Sequence, residues 1–116
     1  PTPNRVRRGT FHFDGQKFQF PITKGENSIH GFVHSATWNV IEAREIADRR
    51  GAAEPACELQ LEFPIKPGVP AYEHFPLPHV LSLVIRVTRD AVRWTYTVDN
   101  RRGGARVPFG FGLHPW

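Results

Sequence analysis

Methionine is absent from this 116-residue chain, and cysteine occurs once, at Cys57. A single cysteine excludes an intramolecular disulfide framework and a cysteine-based zinc site. No apolar run approaches the roughly 20 residues that a membrane-spanning helix needs. A charged segment followed by an apolar stretch, the mark of a secretory signal, is missing from the residues shown. Missing too are the GxSxG nucleophile turn, the phosphate-binding P-loop and the glycine fingerprint of dinucleotide folds. These absences set the expectation of a reducing, cytoplasmic location with no membrane partner. The PTPN opening, in a chain without methionine, adds the expectation that the gene starts upstream of Pro1.

Hydrophobic residues make up 40% of the chain, too many for a disordered one. The length suits one core. Fifteen Lys+Arg against eleven Asp+Glu leave a net charge of +4, and twelve of the fifteen are arginine. Such an excess raises the question of a nucleic-acid surface. However, the arginines fall as scattered pairs (Arg7-Arg8, Arg49-Arg50, Arg101-Arg102) at expected turns or ends, with acids nearby. A phosphate-binding footprint needs a clustered patch. Solvated turns are the better reading, and no nucleic-acid partner is expected.

The hydrophobic pattern predicts an all-β fold of mostly antiparallel strands. FHFDGQKFQF (11–20) places alternating phenylalanines on both sides of Asp14-Gly15, a hairpin signal because glycine tolerates the positive φ of a tight turn. VLSLVIRVT (80–88) passes through Arg89-Asp90 into AVRWTYTVD (91–99), rich in β-branched and aromatic residues, and reads as a second, longer hairpin. CELQLEF (57–63) alternates cleanly and suits a half-buried strand. Residues 42–53 carry a Glu/Arg mixture with weak helical character, but WNVIEAREI reads better as a strand. Residues 64–78 and 100–108 are Pro/Gly-bearing connectors. An open antiparallel sheet must protect its edges, and the apolar Gly-Phe-Gly-Leu stretch at 110–113 has no partner strand after it. The expectation is therefore a single partial domain over 1–116, with self-association through exposed sheet edges.

Three segments set polar side chains in apolar or glycine-bearing surroundings: PNRVRRG (3–9), ENSIHGFVHSATW (26–38) and PFGFGLHPW (108–116). His30 and His114 each lie close to a glycine, where a ligand can approach the backbone. By residue type alone, a histidine among apolar neighbours is more often structural than catalytic, and a single arginine is usually a surface residue. His30 and His34 are spaced i, i+4, but Gly31 and the β-rich context argue against a helical metal site, and no third ligand is identifiable. No metal is expected.

In their order and spacing these segments resemble the aldose 1-epimerase (galactose mutarotase-like) family. PNRVRRGTFHFDGQKFQFP is similar to the family's NRI-type segment and following hairpin. NSIHGFV resembles its N-x-x-H-G element, with Trp38 at the later aromatic. HFPLP (74–78) resembles the stretch before its central strand, and PFGFGLHPW its G-x-H-P-aromatic element. The resemblance implies a β-supersandwich, of which this chain is an N-terminal to central part, and an enzyme interconverting the α and β anomers of a free aldose without a cofactor. Carried over residue by residue, it implies catalytic roles for His114, as proton donor to the ring oxygen, and for His30. It implies sugar binding by Arg5, with Asn4 and Asn27 as supporting polar groups.

The general base implied by the resemblance is a glutamate downstream of the G-x-H-P element, and no glutamate here follows His114. The Gly-Leu-His-Pro-Trp ending also departs from the N-H-x-aromatic form of the galactose mutarotases, which leaves the sugar open. A non-catalytic sugar binder of the same fold stays as an alternative. So does a hexose-phosphate epimerase-like protein, in which Arg5, Arg7 or Arg8 grips a phosphate.

Overall fold

The computed structural model describes residues 4–47 and 55–112, and within them the expected β architecture is present. Three antiparallel sheets are formed: a ribbon of β1 (Arg5–Arg7) with β4 (Asn27–Ile29), a hairpin of β2 (Thr10–Phe13) with β3 (Gln16–Gln19), and a four-stranded meander. The meander runs β5 (Asn39–Ile46), β6 (Ala56–Ile65), β7 (His79–Val87), β8 (Val92–Asp99), in that spatial order.

The hairpin turns where the sequence pattern places it. Asp14 and Gly15 have φ of 49° and 73°, both positive, which matches the right-handed twist of the strands it joins. Phe11 sits opposite Phe18, and their rings stack at 5.0 Å. Phe18, Phe20, Phe75 and Leu77 form one buried cluster, with Phe11, Phe13 and Phe32 against its margin. Gly9 closes the hairpin base: its carbonyl accepts from Phe20 N–H at 2.7 Å. Its φ is 63°, and a Cβ there would lie 2.3 Å from the Phe20 carbonyl oxygen, so only glycine fits.

Two-residue alternation divides the meander into faces. Leu59, Leu61, Phe63 and Ile65 of β6 register against Ile85, Leu83, Leu81 and His79 of β7. Leu81, Leu83 and Ile85 register in turn against Val98, Tyr96 and Trp94 of β8. The opposite face carries Glu58, Gln60 and Glu62 beside Arg86, Val84 and Ser82. At one end the apolar face is closed by Val33, Ala71 and partly buried Phe32, Trp38 and Tyr72, which pack with Ile65 and Leu81. Phe32 touches both clusters and joins the hairpin to the sheet.

The structure adds one element that the sequence pattern treats as connector, the short helix α1 (Pro70–His74). Proline at its first turn is compatible with a helix start, because that N–H has no intrahelical partner. Five residues carry too little periodicity to announce themselves. Residues 42–46, with weak helical character in isolation, lie in β5. There Arg44 faces Glu58 of β6 at 2.5 Å and Glu42 at 3.4 Å. Charges along an outer strand discourage a second sheet from adding to it.

Candidate functional site

The ribbon of β1 and β4 pairs residues twenty or more positions apart. Arg5 pairs with Ile29, and the backbone N–H of His30 donates to the Asn4 carbonyl at 3.3 Å. Asn4, Arg5 and His30 therefore meet at one end of the ribbon. Arg5 Nη1 lies 3.5 Å from Asn4 Oδ1, a long contact between two exposed side chains. His30 is half-buried. Asn27 lies at the other end, opposite Arg7, and its side-chain oxygen accepts from the Arg8 backbone N–H at 3.3 Å. That bond supports the turn at Arg8, whose φ is 52°. Four of the five sequence-selected residues thus lie on this ribbon or beside it. His114 lies outside the described residues.

His30 leaves β4 with φ of 62°, followed by Gly31 at 65°. Left-handed backbone at a residue with a Cβ costs on the order of 1–3 kcal/mol and persists only where surrounding contacts over-determine it. Those contacts follow at once. Phe32 meets Phe20 edge-on at 4.4 Å. Val33 is buried, and its carbonyl accepts from Trp38 Nε1 at 3.2 Å. His34 returns toward His30, with ring centroids 6.1 Å apart and planes at 70°.

Next to Gly31 opens a cavity of about 330 Å³, walled mainly by apolar side chains of the hairpin and the meander. Its volume is in the range of small-molecule sites. Pro108, Phe109 and Gly110 line it from the segment that leads toward His114. That segment is tied down at Arg106, whose Nε donates to Asp14 Oδ2 at 3.0 Å and whose guanidinium lies 5.6 Å from the centre of the Phe13 ring. Residues 108–112 form no strand, although their apolar character suggests one.

Two polar side chains that the sequence reading missed face this cavity, His79 and Tyr96. His79 Nδ1 lies 2.6 Å from the Leu77 carbonyl, which can only accept, so Nδ1 carries the proton and Nε2 keeps its lone pair in the neutral ring. Burial pushes the His79 pKa below the ordinary histidine value, against the opposing pull of that hydrogen bond. Tyr96 stacks on Phe111 at 4.4 Å. Its hydroxyl is buried without a hydrogen-bond partner among the described residues, and burial raises its pKa to about 12. The signal for both was parity: position 79 precedes the inward series 81, 83, 85, and position 96 lies opposite Leu83. Among the described residues, no group of three or more His, Cys, Asp or Glu side chains is placed to hold a metal ion. No helix among them is long and apolar enough to cross a membrane.

Comparison with known proteins places this geometry in context. The sequence matches the aldose 1-epimerase family over residues 1–116. It is 23% identical over 118 residues to the uncharacterized protein YihR of Escherichia coli strain K12, covering 100% of this chain and 33% of that protein. The fold is similar to the crystal structure of a galactose mutarotase-like protein from Clostridium acetobutylicum, with a TM-score of 0.70 and 23% identity. That match covers 84% of this chain and 27% of the other. The chain thus spans about a third of the length of the curated relative.

Proposed function

Because the chain belongs to the aldose 1-epimerase family, with the galactose mutarotase-like fold, we propose that it supplies the ring-oxygen side of a sugar mutarotation site. The observation that carries this reading is the backbone bond from His30 to Asn4, which sets Asn4, Arg5 and His30 side by side. Arg5 and Asn4 offer donors to sugar hydroxyls, and His30 orients the ring. Asn27 supports the turn behind them. His114 gives its proton to the ring oxygen as the C1–O bond of the ring breaks and the anomeric carbon becomes an aldehyde. The proton of the anomeric hydroxyl passes to a carboxylate, the natural base for this step. Rotation about C1–C2 and reclosure then give the other anomer, with both protons returned. No electrons are exchanged with a cofactor. We place this chemistry in the cytoplasm.

Polarimetry of the full polypeptide with freshly dissolved D-glucose and D-galactose tests the reading. Mutarotation faster than buffer is expected, and His114→Gln should slow it by about 10²–10⁴-fold, the usual share of one general acid. Rates equal to buffer with every common aldose would sink the proposal. A second reading draws on Arg5 and Arg7, which alternate onto one exposed side of β1 and could grip a phosphate. Titrating a hexose and its 6-phosphate side by side separates the two.

A further inference from the structure

We propose that Tyr96 is a positioning residue whose ring, stacked on Phe111, fixes the path of the segment 106–112 that leads toward His114. The inference rests on the mutarotase reading of the site and adds to it a residue that the family resemblance does not assign.

Residues 106–112 belong to no strand, and no backbone hydrogen bond ties them to another described residue. Among the described residues this stretch is held by its side chains. At its start Arg106 pairs with Asp14 of the hairpin turn, and Val107 packs against the phenylalanine cluster. At its end Phe111 lies face to face with Tyr96, the ring centroids 4.4 Å apart and the planes at 19°. The Arg106 side chain is 78% exposed, and an ion pair so open to water contributes little. A stacked aromatic pair stabilises beyond the apolar area it buries. Phe111 also stands between Gly110 and Gly112, and glycine is the residue with the most backbone freedom to lose. The stack is therefore a stronger anchor than the ion pair, and it lies nearer in sequence to His114.

Tyr96 suits this task because its own place is fixed. It sits in the β8 ladder opposite Leu83. Its ring also meets Trp38 at 6.3 Å and 61°, and the Trp38 indole donates to the Val33 carbonyl. One ring thus contacts both the loop that follows His30 and the segment that leads toward His114. The hydroxyl takes part in neither contact, being buried without a hydrogen-bond partner among the described residues. A buried hydroxyl in that state costs stability, so position 96 contributes through its ring.

The test compares Tyr96→Phe, Tyr96→Leu and Phe111→Leu in the full polypeptide. A ligand-free readout comes first, limited chymotrypsin cleavage after Phe109 mapped by mass spectrometry, because cleavage follows the open population of the segment. It should quicken about three- to tenfold in both leucine variants, the size of one aromatic pair, and keep the wild-type rate in Tyr96→Phe. Mutarotation of D-galactose and D-glucose is the second readout. Both leucine variants should lower kcat, by up to about tenfold, with KM changed by less than about twofold. Tyr96→Phe should keep both constants. Combining the two leucine substitutions should add little to either alone, because they remove the same contact. Unchanged cleavage in Phe111→Leu would overturn the proposal, and that variant decides the matter even if Tyr96→Leu fails to fold. Loss of kcat in Tyr96→Phe would also overturn it, because the hydroxyl would then act on the sugar. If wild type accelerates no aldose, the mutarotase reading fails, while the cleavage comparison still decides whether the stack holds the segment.

Discussion

The two ends of the four-stranded sheet share one sequence pattern and have opposite environments. Near Ile65 and Leu81 the inward side chains are 3% and 6% exposed. Further along the same face, Val87, Val92 and Trp94 are 43%, 59% and 51% exposed. Val40 of β5, registered to Leu61, is 64% exposed. Alternation decides which face is apolar, but only a covering layer makes that face a core. Among the described residues the layer consists of residues 32–38, helix α1 and residues 107–112, and it reaches one end only. The elongation of the molecule follows: its radius of gyration is 17.0 Å, against about 13 Å for a compact domain of this length.

The sharpest way to break the comparison is to truncate an inward leucine at the closed end. Leu81→Ala should cost about 2–5 kcal/mol, because the surrounding aromatic and aliphatic side chains cannot fully collapse into the space. Urea denaturation followed by fluorescence measures it. A loss below about 1 kcal/mol would mean that the closed end is not a true core.

The pH dependence comes next and concerns His79, again at the closed end. Its folded pKa is lowered by burial, so the unfolded chain binds a proton more readily. Its contribution to stability is complete above the ordinary histidine value of about 6.5 and is lost as pH falls from there toward the folded value. Denaturation midpoints should therefore fall on acidification over that window, and His79→Leu should flatten this part of the slope. A midpoint profile identical to wild type would show that the ring is solvated.

The smallest effect on stability is expected at the open end. Trp94→Thr should change unfolding free energy by no more than about 0.5 kcal/mol, as for most exposed substitutions. Its consequence should appear instead in association, because an exposed apolar face and an unpaired edge strand both favour contact between copies. Sedimentation velocity would show wild type associating with concentration and the variant doing so less. A monodisperse wild-type monomer would contradict the association expected at this face.

The sequence by itself determined the strands and turns whose signals are local. Asp14-Gly15, the alternation in β6 and the β7–β8 hairpin all reflect contacts between near neighbours, or the steric freedom of one glycine. The strand at 39–46 was also legible in WNVIEAREI, although nearly all of its side chains are exposed. The sequence reading also singled out Asn4, Arg5 and His30, through their resemblance to family motifs. Other features depended on long-range packing. The β1–β4 ribbon has three residues on each side, too few to carry a period, and its pairing requires the intervening hairpin to fold back. Without that pairing, Arg5 and His30 are merely two polar residues. The approach of His34 to His30 and the burial of His79 and Tyr96 were likewise decided in three dimensions. The physical reason is common to them all: a side chain's neighbours across space are set by which apolar surfaces pack together, and no local pattern specifies that pairing.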